Sequence, residues 1–351
     1  MRSLLPAPLL ALCLPLSLAA QEAPRAAPPV VPAARSSLVP DLPGVRRAFV
    51  TAGGARLQYL DFGGSGEPVV LLAGLGNTSW IWSDFGPRLA REGFRVVALT
   101  RRAHGESEAP GSGYHLDGLA ADVVAFMDSL GFRRAHLVGH SLAGAELTRV
   151  AARYPDRVLR LVYVDAAYDR AAQQRRDTVA EPPRLAPPIT AADRASPAAY
   201  LAYQRRARLD LARSWGPAVE RDYLASLAVD STGAVRWRHP LARYGEMMQG
   251  ASLAAPEYGS VRAPALALYA TVPQAILPPG ATEEQRAQLD RFQRENHAPW
   301  VAESVAQFRS GMKLGRVEHV AGVHHLFLDR PEETLRAVRD FLRTAPRGNR
   351  E

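Results

Sequence analysis

A chain of 351 residues, 47% of them hydrophobic, can form one large α/β domain with an insertion or two small domains, and its apolar content excludes global disorder. The formal charge of +8 is carried almost wholly by arginine, Lys313 being the only lysine. The basic residues are scattered, with no aromatic-basic stripe among them, which reads as surface composition and excludes a nucleic-acid partner.

Met1-Arg2 is a short positive start, Leu4 to Leu18 is apolar, and Ser17-Leu18-Ala19-Ala20 supplies small residues for cleavage. Residues 1–20 therefore read as a secretory signal peptide, with export to a periplasmic or extracellular space as the expectation. Pro6, Pro8 and Pro15 interrupt the run and make it too short for a membrane span. The single cysteine, Cys13, lies inside it, so the mature chain is expected to have no disulfide and no thiol chemistry. Residues 21–44, rich in proline and alanine, read as an extended, disordered leader.

From about residue 45 the pattern is that of alternating strands and helices. Ala48 to Thr51 and Ala55 to Phe62, joined by Gly53-Gly54, read as a hairpin. Pro68 to Ala73, Phe94 to Thr100, Ala135 to Gly139 and Val158 to Val164 are apolar runs of the kind that form strands buried on both faces. Helical stretches lie between them, Leu116 to Leu130 being amphipathic. After Val164 the alternation stops, and residues 166–260 read as an inserted helical cap, with helices over Pro197 to Trp215 and Pro217 to Val229. Pro264 to Ala270 and Arg316 to Val320 resume the sheet, and Pro331 opens a terminal helix. The tail, 345–351, reads as loose. The core is thus 45–165 plus 261–344: a mostly parallel sheet covered by helices on both faces. In such sheets the working residues lie beyond the carboxyl ends of the strands.

One stretch carries chemistry most directly. A strand runs into Gly139-His140-Ser141-Leu142-Ala143-Gly144 and a helix follows at once. Small residues flank the serine because the strand end and helix start pass close together, and a strained backbone there pushes the hydroxyl into the open. This stretch resembles the nucleophile elbow of the α/β-hydrolase fold family, usually written G-x-S-x-G. Ala143 stands where the last glycine is usual. The resemblance covers about residues 45–344 and is least specific in the cap.

The resemblance implies a serine hydrolase that cleaves an acyl bond, with a carboxylic ester as the expected substrate. Ser141 would be the nucleophile. His324, after the last strand and ahead of Pro331-Glu332-Glu333, would be the base, with His325 as its rival. The family's usual acid position follows the strand at 264–270, but Ala270-Thr271-Val272-Pro273-Gln274 holds no carboxylate and Glu283 lies well beyond. Some members carry the acid after the strand that follows the elbow helix, and Asp165 stands there, with Asp169 as second choice. The amides of Leu142 and Leu75 would form the oxyanion hole, although Ala73-Gly74 replaces the family's His-Gly and leaves the bracing of that loop unexplained. Trp80, Trp82 and His140 are candidate pocket residues; the two tryptophans serve equally well as core, and His140 is expected to pack rather than react. His104 is expected to be structural. No cofactor and no metal cluster are expected. The implied partner is a small acyl substrate, and neither oligomeric state nor acyl length is legible. Two alternatives stay open: cleavage of an amide, thioester, lactone or C–C bond on the same scaffold, and a binding protein that keeps the pocket without turnover. Ser141 argues against epoxide or haloalkane chemistry, in which the nucleophile is a carboxylate.

Overall fold

The computed structural model describes residues 37–176, 186–272, 277–278 and 280–344. The signal-peptide assignment, most of the leader and the tail from 345 lie outside the described residues.

The chain opens with β1 (Arg46–Ala52), β2 (Ala55–Gly63) and β3 (Pro68–Leu72), then α1 (Phe85–Arg91), β4 (Arg95–Leu99) and α2 (Leu116–Ser129). The elbow lies between β5 (Ala135–His140) and α3 (Ala143–Arg153), and β6 (Val158–Val164) follows. The next elements are α4 (Arg170–Arg175), α5 (Pro197–Ala207), α6 (Pro217–Ser226), β7 (Leu227–Val229), β8 (Val235–Trp237) and α7 (Ala242–Ser252). The sheet resumes with β9 (Ala265–Ala270), followed by α8 (Glu283–Phe292), α9 (Ala298–Gly311), β10 (Gly315–Val320), α10 (Leu326–Asp329) and α11 (Pro331–Arg343). Eight strands form one sheet in the order β1-β2-β4-β3-β5-β6-β9-β10. Only β1 with β2 and β2 with β4 pair antiparallel; every other ladder of that sheet is parallel.

The apolar runs form strands because each side chain along them has a core to enter. Val70, Leu72, Leu137, Leu161 and Tyr163 face α2, α3 and α9, where Phe126, Leu147 and Phe308 are fully buried. Their neighbours Val69, Leu71, Val138, Val162 and Val164 face the other way, against Phe85 and Leu89 of α1 and Val338 of α11. This period-two division is what a sheet covered on both faces requires.

Three expectations are corrected. Residues 37–44 do not belong to a disordered leader: Val39 is buried in the core with Leu38 and Leu42 packed beside it, because these apolar side chains gain more by burial than by extension. The helix read over 217–229 stops at Ser226. Leu227–Val229 turns into a strand paired with Val235–Trp237 through a turn in which Gly233 has φ +87° and Asp230 accepts the Thr232 amide. The helix read over 197–215 stops at Ala207 and is followed by a 3₁₀ turn over Leu209–Leu211, and farther along α8 and α9 are joined by a π-helical turn over Gln293–His297.

The elbow depends on missing side chains. A Cβ at Gly144 would lie 1.9 Å from the Ala166 carbonyl oxygen, and one at Gly139 would lie 2.5 Å from Leu147. Gly144→Ala therefore separates two effects. Helix propensity alone stabilises by about 1 kcal/mol, whereas forcing backbone apart costs about 1–3 kcal/mol. Packing is expected to win, and a lowered urea midpoint at unchanged slope is the expected readout.

Candidate active site

Ser141 sits at the apex of the elbow with φ +55°, the left-handed backbone that a strand-to-helix turn this tight demands. Leu142 caps α3 in helical conformation. Neither its amide nor that of Leu75 donates to an acceptor among the described residues. Leu75 and Ser141 line the same cavity, and Gly74 packs so closely that a Cβ there would lie 3.1 Å from the Cβ of Ser141. Two spare N–H donors thus flank the serine, one from the start of a helix and one from the loop after β3.

Asp165 directly follows β6 and is 4% exposed, with φ +46°. Three donors meet its carboxylate. His324 Nδ1 lies 2.6 Å from Oδ2, while the Tyr168 hydroxyl at 2.5 Å and the Ala270 amide at 2.9 Å both donate to Oδ1. A carboxylate only accepts, so the His324 proton is on Nδ1 and Nε2 presents its lone pair. The strand end that carries the acid in most of the family here contributes a backbone amide to an acid on the neighbouring strand. Burial, with the Asp165 charge beside it, holds the Tyr168 phenol well above its ordinary pKa, so it stays a donor. Of the two aspartates, Asp165 pairs with the imidazole. Asp169 caps α4 by accepting the Ala172 amide at 2.8 Å.

His324 and Ser141 share one cavity wall with His140 and His325. His140 packs against both loop histidines and Phe327, and its Nε2–H donates to the His324 carbonyl at 3.1 Å. It thus holds the backbone of the histidine loop from below. Asp329 holds the same loop by accepting the Val323 amide. Burial, and then the neighbouring His324, push His140 and His325 well below the ordinary imidazole pKa, so both are neutral.

Trp80 and Trp82 are corrected from pocket to core. They are 1% and 0% exposed, and Trp82 stacks on Phe327 with ring centroids 4.0 Å apart. A 3₁₀ turn over Ser79–Trp82 carries both indoles into the buried cluster that also holds Phe85 and Leu89, and neither lines the cavity with Ser141. Tyr223 and Trp237 of the cap stand on the cavity wall instead.

The loop that carries Leu75 is braced by His104, as expected of a structural residue, and by Arg101 and Asp222, which no motif announces. Arg101 donates to the Ala73 and Gly74 carbonyls at 2.7 and 3.3 Å and pairs with Glu146 of α3 at 2.6 Å. A guanidinium thus does the bracing where the family places a histidine. His104, stacked on Tyr244, donates from Nδ1 to the Arg102 carbonyl and accepts the Gly76 amide at Nε2. Burial and then Arg101 hold it neutral, as that pairing requires. Asp222 of α6 accepts from the Thr78 amide at 2.6 Å, the Thr78 hydroxyl at 2.7 Å and the Asn77 side chain at 2.7 Å. This carboxylate ties the cap to the loop that carries Leu75. Each brace is distant in sequence from what it holds, and the only hint of them was the number of charged residues set among apolar runs.

A buried serine sharing a cavity with an imidazole that a carboxylate orients, with two uncommitted backbone amides nearby, is the kind of constellation a nucleophilic hydrolase uses. The family model for the alpha/beta hydrolase fold matches residues 67–231. The chain is 38% identical over 118 residues to the non-heme chloroperoxidase of Streptomyces lividans, covering 33% of this chain and 43% of that one. It is 37% identical over 107 residues to the bifunctional epoxide hydrolase 2 of Sus scrofa, covering 30% of this chain and 19% of that one. The chain spans about two fifths of the length of the haloperoxidase relatives it matches. The solved structure of E-2-(acetamidomethylene)succinate hydrolase superposes with a TM-score of 0.64 at 20% identity, covering 86% of this chain and 100% of that one. The thioesterase domain from the curacin biosynthetic pathway superposes at 0.59 with 17% identity, covering 86% and 99%. The chain has the alpha/beta hydrolase fold.

Burial pushes the Asp222 carboxyl up to about 6, against the hydrogen bonds from Asn77 and Thr78. A carboxyl that ionises less readily folded than unfolded gives a penalty that is absent below about pH 4, grows between pH 4 and 6, and is complete above 6. Its size is about 3 kcal/mol. Asp222→Asn removes the titration, so the difference in unfolding free energy between variant and wild type is expected to shift in the variant's favour by this amount from pH 4 to pH 7. Urea melts at the two pH values read it directly.

Proposed function

We propose that this protein is an exported serine hydrolase that cleaves an acyl bond, most simply a carboxylic ester, through an acyl-enzyme. The observation that carries the reading is the 2.6 Å hydrogen bond from His324 to Asp165 beside a serine held at φ +55°. His324 Nε2 takes the Ser141 proton as Oγ bonds to the acyl carbon. The carbonyl oxygen, now anionic, accepts from the Leu75 and Leu142 amides. The C–O bond to the leaving group breaks and His324 returns the proton to the departing alcohol. Water then repeats the sequence on the acyl-enzyme and frees the acid. Asp165 keeps the imidazole in the required tautomer and stabilises its cation.

The cavity holding Ser141 and His324 is about 20 Å³, room for about one water. An acyl substrate needs more, so side chains around it must give way, those of Arg208, Tyr223 and Trp237 in the cap on one side or Arg170 toward the neighbouring cavity on the other. The same chemistry extends to amides, thioesters and lactones, which differ only in the leaving group.

Fluorophosphonate labelling separates a hydrolase from a binding protein on the same scaffold. Labelling of the wild type and none of Ser141→Ala is expected; no labelling of folded wild type contradicts the reading. Asp165→Asn is expected to lower ester turnover about 10³- to 10⁴-fold, by analogy with loss of the acid in other triads. Near-normal turnover would remove Asp165 from the mechanism. Export is checked by the N-terminal residue of protein recovered outside the cytoplasm, expected near residue 21.

A further inference from the structure

Four arginines lie buried at or near the candidate site, and three of them are neutralised. Arg101 pairs with Glu146, Arg102 with Asp122, and Arg208 grips Asp210 through two bonds of 2.7 and 2.6 Å while donating to the Tyr223 hydroxyl. The fourth, Arg170, opens α4 and is 7% exposed, yet no carboxylate among the described residues pairs with it. Its contacts are long. Nη1 donates to Gln173 Oε1 at 3.5 Å, Nη2 donates to Ser141 Oγ at 3.5 Å, and the guanidinium lies 5.9 Å from the Trp300 ring centre. Burying a cation on such contacts is costly unless a stronger partner arrives.

A second donor stands beside it. Since Arg170 can only donate, Gln173 must present its carbonyl to it, and the Gln173 amide nitrogen is then buried with no acceptor. Arg170 also lines a second cavity, of about 520 Å³, whose wall includes Asp165, Tyr168, His297, Trp300 and His324. It therefore stands at the neck between the serine and the larger space. An under-used guanidinium on the wall of that space, its fork of N–H groups backed one helical turn away by an idle amide, suits a planar anion with two acceptor oxygens.

We propose that Arg170, with Gln173 behind it, anchors a carboxylate on the acyl half of the substrate, so that the substrates are half-esters of short dicarboxylic acids or compounds of that shape. This rests on the hydrolase reading of the same site. The acyl half is bonded to Oγ in the intermediate, so a donor within reach of Oγ is nearest to that half. A carbonyl carbon about 3 Å from Oγ and a carboxylate about 2.8 Å from the guanidinium are bridged by a few carbons. The carboxylate is held, not consumed: the bonds made and broken are those of the ester step, and the product is a dicarboxylate.

The test compares monomethyl glutarate with methyl pentanoate, nearly isosteric and without the second charge, on the full chain. Hydrolysis is followed by acid release at constant pH. Wild type is expected to favour the half-ester in kcat/KM by about 10- to 100-fold, the range one charge-assisted anchor supplies. Arg170→Met is expected to erase that ratio, and Arg170→Lys to keep part of it, since lysine retains the charge without the fork. Thermal melts check that both variants fold, and the wild-type ratio needs no variant. Equal rates on the two esters in wild type, or an equal loss on both in Arg170→Met, overturn the anchor while phosphonate labelling leaves the hydrolase reading standing. If wild type is neither labelled nor active, the hydrolase reading falls and the anchor is judged by binding alone. Glutarate, but not pentanoate, is then expected to raise the melting temperature of wild type and not of Arg170→Met; no such rise overturns it.

Discussion

The site depends on a buried carboxylate at the rim of the sheet. Asp165 leaves β6 in a backbone conformation most residues avoid, and its burial is tolerable only because an imidazole, a phenol and a backbone amide all donate to it. Those three donors come from three separate places: the loop after β10, the segment after β6 itself and the end of β9. The parallel ladders linking β6, β9 and β10 set the strand ends side by side, so the hydrogen bond to His324 is a consequence of sheet register as much as of side-chain choice. Removing the acid would leave Tyr168 and the Ala270 amide without their acceptor as well as freeing the imidazole.

The opposite wall of the site is held by a different economy. The loop that carries Leu75 is pinned from outside by Arg101, His104 and Asp222, the last of which also accepts from the loop's own Asn77 and Thr78 side chains. Arg101 links it to Glu146 on the elbow helix, so the two proposed oxyanion donors are referenced to one buried ion pair. Asp222 links it to the cap. The position of α6 and that of the loop carrying Leu75 are therefore fixed to each other through one carboxylate.

Much of the fold was legible because it rests on local signals. The strands at 68–72, 95–99, 135–140 and 158–164 are apolar throughout, and only a sheet covered on both faces uses such runs. The elbow was legible because Gly139, Ser141 and Gly144 obey a steric rule that extends over a few residues. His324 and Asp165 were legible because each follows a strand end, and because Ala270-Thr271-Val272-Pro273-Gln274 holds no carboxylate while the end of β6 offers one. What was not legible depends on contacts between distant segments. Trp80 and Trp82 face the core because of a 3₁₀ turn whose direction no hydrophobic pattern encodes. The short β7–β8 hairpin follows a helix without a break in polarity, and only its turn chemistry at Asp230 and Gly233 marked it. Arg101, Asp222 and Arg170 read as three charges among many until the folded chain placed them.

The mechanism is tested most directly by a crystal structure of the chain after reaction with a fluorophosphonate. The expected result is phosphorus bonded to Ser141 Oγ, one phosphonyl oxygen within about 2.7–3.1 Å of both the Leu75 and Leu142 amides, and His324 still hydrogen-bonded to Asp165. A phosphonyl group on another residue, or an imidazole turned away from the serine with the Asp165 bond broken, would contradict it.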